Sequence, residues 1–194
     1  LEDWWNAPSQ LGRLAEVFRK GRRDHPDWFI YKEPFLSLCP ELVWDALPEA
    51  KLIYIYRDGR DVANSLQVTY DVLSDESLTH LRSTEMRYGR KYDHRYVPWW
   101  VQEGRDSEFL DATQYVRCTW MWAYLVRQCE AFFSDLSREQ EQRILKIKYE
   151  DFMHDPTLWG EEICDHLDLT PTRTLRRRLG RARTDSIGKH KRRP

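Results

Sequence analysis

The run Lys51-Leu52-Ile53-Tyr54-Ile55-Tyr56, broken at once by Asp58-Gly59, constrains the fold more than any other stretch. A half-exposed antiparallel strand alternates apolar and polar residues. This run is almost continuously apolar, the pattern of a strand in a parallel sheet covered on both faces. Parallel neighbours need a crossover connection, usually a helix. Arg60-Asp61-Val62-Ala63-Asn64-Ser65-Leu66 is helix-compatible, with Asp58 as N-cap and Asp61 three residues on, a weaker relative of the capping box. Strand, tight turn and helix thus follow one another within 51–66.

The same alternation continues along the chain. Leu11, Leu14, Ala15 and Phe18 lie at helical spacing and Gly21 closes that segment, while Trp28-Phe29-Ile30-Tyr31 reads as a buried strand ending at Lys32-Glu33-Pro34. A short helix is predicted over 40–46 from Pro40, and a long one over 116–133. Ile144-Leu145-Lys146-Ile147-Lys148-Tyr149 is a further strand, with a turn at Glu150-Asp151, a helix within 156–167, and a last helix from the Thr170-Pro171 pair to about Gly180. Strands alternating with helices, without an internal repeat, predict an α/β fold: a mostly parallel central sheet with helices on both faces. Residues 68–115 differ, being polar and Tyr- and Arg-rich without a clean period, and are expected to form a surface insertion or lid. Tyr70, Tyr88, Tyr92, Tyr96, Trp99 and Trp100 would line an apolar or sugar-stacking cleft there, or else pack the lid on its own domain.

Composition fixes the broad class. At 194 residues with 41% hydrophobic and 13% aromatic residues, the chain is too apolar for intrinsic disorder and suits a single domain over 1–194. No stretch approaches the roughly 20 apolar residues of a membrane helix. The four cysteines are scattered, with neither a Cys-x-x-Cys pair nor clustered histidines, so no metal site is expected and a reducing, cytoplasmic setting is. Charge is uneven: ten cations against Asp185 give the last 22 residues +9, so the formal total of -1 leaves -10 on residues 1–172. A basic tail on an acidic body points to a phosphate or polyanion partner, or to a tail folding against the body. Nucleic acid is disfavoured, because the basic face does not continue onto the body. The start at Leu1-Glu2-Asp3, without Met and without a signal-peptide pattern, is expected to belong to a longer chain.

Ligands of parallel α/β sheets bind beyond the carboxyl ends of strands, where helix N-termini offer free N–H groups. Arg57 stands at that edge, placed to hold a phosphate together with helix amides and the Ser65 hydroxyl. The plainer alternative pairs Arg57 with Asp58 or Asp61 and leaves Ser65 an ordinary helix serine.

Tyr56-Arg57-Asp58-Gly59-Arg60-Asp61-Val62-Ala63-Asn64-Ser65 resembles the segment that binds the 3'-phosphate in sulfotransferases using 3'-phosphoadenosine 5'-phosphosulfate (PAPS). Three more segments follow in family order. Tyr31-Lys32-Glu33-Pro34 is similar to the Lys-x-Pro strand, Lys148-Tyr149-Glu150-Asp151-Phe152 with Asp155-Pro156 to the Tyr-Glu-Asp and Asp-Pro segment, and Ser186-Ile187-Gly188-Lys189-His190-Lys191 to the C-terminal loop that closes over the phosphate. The resemblance spans about 28–191. It implies a P-loop NTPase-like sulfotransferase fold and sulfuryl transfer from PAPS to a hydroxyl or amine of a small-molecule or carbohydrate acceptor, leaving 3'-phosphoadenosine 5'-phosphate (PAP), without a metal. It makes Arg57 and Ser65 ligands of the 3'-phosphate, gives Gly188 and Lys189 an amide and a cation for the same group, places Tyr149 against the adenine, and makes Lys32 the stabiliser of charge on the moving sulfuryl group. Glu33 is the adjacent candidate base; Glu2, Asp3 and His94 are the others. The family's P-loop-like turn around the 5'-phosphosulfate has no counterpart here, as Gly12 and Gly21 follow no strand. A sulfotransferase-like binding module without catalysis is therefore the alternative reading.

Overall fold

The computed structural model describes residues 16–17, 19–21, 23, 29–32, 36–37, 40–79, 89–181 and 187–191. Residues 16–17, 19–21 and 23 are helical, in agreement with the spacing upstream of Gly21 but running past it. Gly21 is buried because Phe29 closes on it: an added Cβ would lie 2.2 Å from that ring. The strand expected at Trp28–Tyr31 does not form over its described part. Residues 29–32 are irregular and Ile30 is 76% exposed, since an apolar run becomes a strand only where a neighbour takes up its backbone hydrogen bonds. Phe29 instead packs with Leu36, Leu42, Ala46 and Leu47.

Helix α1, Leu42–Ala46, begins two residues after Pro40 and buries Leu42, Val43 and Trp44. Strand β1, Leu52–Tyr56, follows and runs into helix α2, Gly59–Tyr70, which ends at Asp71 in the left-handed region (φ 49°). Strands β2, Arg90–Tyr92, and β3, Arg95–Val97, pair antiparallel. Helix α3, Asp106–Asp111, precedes the long α4, Gln114–Ser134, capped by the Thr113 hydroxyl, and the short α5, Arg138–Glu141, with a capping box from Ser137 and Gln140. Strand β4, Ile144–Lys148, lies parallel to β1 in the register Leu52↔Ile144 to Tyr56↔Lys148. Helix α6, Tyr149–His154, replaces the turn expected at Glu150-Asp151, and α7, Pro156–His166, starts on an Asp155 cap with proline in its first turn. Helix α8, Arg173–Leu179, begins later than Thr170-Pro171, because Thr172 is the residue whose hydroxyl accepts Leu175 N–H, at 3.1 Å.

The fold is thus mixed α/β, and among the described residues the parallel sheet has two strands. One face of β1 packs on α4, where Tyr54 meets the Phe133 ring edge-on at 4.9 Å. Ile55, on its other face, is 56% exposed, so the cover on both faces expected from the apolar run is not found there.

Among the described residues, 68–79 and 89–115 contribute most of the largest buried cluster. Leu73, Leu78, Val97, Trp100, Val101, Phe109 and Leu110 bury themselves with Ala63 of α2 and with Cys118 and Met121 of α4. The buried Trp100 packs edge-on to Phe109 and the partly buried Trp99 edge-on to Tyr124. The buried Arg117 closes this core by donating to the carbonyls of Phe109, Leu73 and Leu110 at 3.0, 3.1 and 2.5 Å. Each interaction satisfies a carbonyl in a place water does not reach. Among the described residues no helix is long and apolar enough to cross a membrane.

Candidate functional site

The β1–β4 register brings two sequence-distant residues together. Arg57 follows Tyr56, Tyr149 follows Lys148, and these two strand ends are register partners. The Arg57 guanidinium carbon consequently lies 4.8 Å from the Tyr149 ring centroid, a cation over an aromatic face.

The turn below Arg57 is fixed from both sides. Trp122 of α4 donates its indole N–H to the Arg57 carbonyl at 3.1 Å, and the Asp58 N–H donates to Glu150 Oε1 of α6 at 3.0 Å. Gly59 makes the first of these possible, since a Cβ there would sit 2.5 Å from the Trp122 ring. Asp58 caps α2 through Arg60 N–H at 2.9 Å and also takes the Arg60 guanidinium. The hydrogen bonds from Arg60 outweigh partial burial and hold its carboxyl at about 2.

Asp61 organises the site. Its side chain is 1% exposed, one turn into α2, and it receives Gly188 N–H at 2.7 Å, His190 N–H at 3.1 Å and His190 Nδ1 at 2.7 Å. Arg57 Nη2 completes the group at 3.4 Å. Burial alone would raise the carboxyl, but the bonds from His190 and Gly188 together with the Arg57 charge hold it well below the usual carboxylate range. Segment 187–191 is thereby folded back on the N-terminal turn of α2. Gly188 suits the bend, with φ at 67°.

Of the residues singled out in the sequence, Arg57 and Gly188 therefore meet at Asp61, and Tyr149 lies against Arg57. Ser65, half-buried, lies four residues beyond Asp61 on the same face of α2. Arg57 does pair with Asp61, as the plainer alternative held, yet that carboxylate is shared with the C-terminal segment. Lys189 belongs to the turn Lys189–Lys191, and its side chain lies outside the described residues. Glu33, Glu2, Asp3, Pro34, Tyr88 and Ser186 also lie outside them. Lys32 is exposed in the irregular segment 29–32. His94 pairs with Asp93 at 2.7 Å in an exposed hairpin turn, which gives it no part in this group. Among the described residues no cluster suits a metal ion, and Cys118, Cys129 and Cys164 are free and buried.

Sequence reasoning offered Asp61 only as a first-turn acid or a partner of Arg57, and missed His190, Trp122 and Glu150. Glu150 and His190 fall inside the quoted motifs, but nothing local assigns them a partner.

The result is a parallel α/β edge with a cation, a helix N-terminus and a folded-back C-terminal segment, an arrangement suited to an anionic ligand. A family model described as "Sulfotransferase domain" matches residues 29–190, and the chain belongs to that family. No curated protein and no solved structure matched it.

Proposed function

We propose that the protein is a PAPS-dependent sulfotransferase that transfers the sulfuryl group to a hydroxyl or amine by in-line displacement. The observation that carries this reading is Arg57 over Tyr149 at the paired ends of β1 and β4, with segment 187–191 drawn in through Asp61, in a chain of the sulfotransferase family. Arg57, Ser65 and the N-terminus of α2 are donors that suit a phosphate dianion, the family resemblance adds Lys189 to them, and Tyr149 offers an aromatic surface to the adenine. PAPS, when bound, supplies the activated sulfuryl group.

Sulfuryl transfer, like phosphoryl transfer, leaves the protein mainly positioning and charge stabilisation. Lys32 serves the second role and Glu33 takes the acceptor proton. No metal is needed, because cations and amides meet the charges of the nucleotide. The P-loop-like fold, one domain over 1–194, 68–115 as an insertion within it, a reducing cytoplasmic setting and a small-molecule or carbohydrate acceptor complete the proposal.

The test is turnover of the complete protein with PAPS against phenols, alkyl alcohols, sugars and amines. Acceptor-dependent PAP release is expected, at least ~100-fold lower in Lys32→Ala if Lys32 stabilises the transition state. The exposure of Lys32 favours one second reading, a nucleotide-binding module without catalysis. Tight PAP binding with no transfer to any acceptor class would establish that reading instead.

A further inference from the structure

Asp61 gathers donors from the C-terminal segment, and one ring nitrogen is left over. His190 is tied to Asp61 twice, by its backbone N–H at 3.1 Å and by Nδ1 at 2.7 Å. Facing a carboxylate, Nδ1 carries its hydrogen. The opposite nitrogen, Nε2, is buried and has no hydrogen-bond partner among the described residues, in a side chain only 15% exposed. Buried polar atoms are nearly always satisfied, so a fixed imidazole with an idle nitrogen indicates a missing partner. The same carboxylate lies 3.4 Å from Arg57 Nη2, so the ring and the guanidinium belong to one charge cluster.

We propose that His190 is a further anion ligand of this site. The ring donates Nδ1–H to Asp61 and, with one proton taken up from solvent on Nε2 as the nucleotide binds, Nε2–H to the 3'-phosphate. Asp61 is the positioning residue that presents it. The resemblance assigned a backbone amide of Gly188 to that phosphate, but this N–H already donates to Asp61 at 2.7 Å. His190 supplies the donor that Gly188 does not. Two cations, Arg57 and His190, then stand between two anions, Asp61 and the phosphate, which lets a buried carboxylate remain charged beside a dianion. The inference rests on the nucleotide reading above.

Titration calorimetry on the complete protein separates the possibilities, using PAP and adenosine 5'-monophosphate, which lacks the 3'-phosphate. His190→Ala is expected to weaken PAP by about 10- to 100-fold while leaving the monophosphate within about twofold, the loss of one hydrogen bond to a charged group. His190→Gln, which keeps a donor near the same place, should fall between the two; it carries the test if thermal melting shows the alanine variant unfolded. Unchanged PAP affinity in both variants overturns the inference alone. Equal losses for PAP and the monophosphate also overturn it, because the ring then acts only by holding the segment in place. A wild-type protein that binds PAP no more tightly than the monophosphate overturns the inference together with the nucleotide reading.

Discussion

Arg57 and Tyr149 face each other across the ends of two parallel strands, guanidinium carbon to ring centroid 4.8 Å. Neither residue chooses this contact locally. The strand register places them side by side, while Trp122 and Glu150 hold the turn from α4 and α6. The site is therefore as stable as the packing beneath it, and its predictions concern both.

Asp61 ties stability to pH. Its carboxyl is held below the ordinary aspartate range, and that of Asp58 at about 2. A carboxylate with a depressed folded pKa adds stability above its unfolded pKa, and that stability is lost as pH falls through the folded value. Asp61→Asn should lower Tm by roughly 5–10 °C at pH 7. The gap to wild type should persist down to about pH 4, the unfolded aspartate value, and narrow below it. Thermal melts from pH 7 to 2.5 check this; a gap that widens on acidification contradicts it.

Gly59 is a close approach, not a flexible hinge. Gly59→Ala pushes a methyl to within 2.5 Å of the Trp122 ring and so displaces the indole N–H that holds Arg57. A destabilisation of about 1–3 kcal/mol is expected from overpacking. Urea unfolding measures it, and PAP affinity should fall in the same variant. A stable variant with unaltered affinity would show that the indole does not orient Arg57.

Arg117 supports the core built from 73–110. Arg117→Met keeps much of the volume but leaves the carbonyls of Leu73, Phe109 and Leu110 without this donor. Phe109 and Leu110 keep second donors in Ala112 N–H and Arg95 Nη1, so the cost falls mainly on the Leu73 carbonyl and a loss of about 1–3 kcal/mol follows, the range for a buried polar group left unpaired. Chemical denaturation should show it as a lower midpoint with the slope unchanged.

These effects mark where sequence reasoning reached and where it stopped. The β1–α2 unit is readable because its signals are local: a continuous apolar run, then Asp58 capping α2. Asp61 looked like a capping residue and is instead the anchor for Gly188 and His190, at separations of 127 and 129 residues that leave no local trace. Phe29–Tyr31 misled for the converse reason, since apolar composition does not supply the neighbouring strand. Residues 68–115 read as polar surface because the burial of their described residues against α2 and α4 follows no short period. The cap of α8 moved from Thr170 to Thr172 because either threonine satisfies the pattern and only the chain path selects one.

The most direct test of the central claim is PAP binding by the complete protein and by Arg57→Ala, measured by titration calorimetry. Saturable one-to-one binding is predicted for the wild type, with affinity reduced by about 10- to 100-fold or more in the variant, the cost of removing a charge-assisted phosphate contact. Equal affinity in the two proteins would contradict the account, because Arg57 at the end of β1 would then not hold the nucleotide.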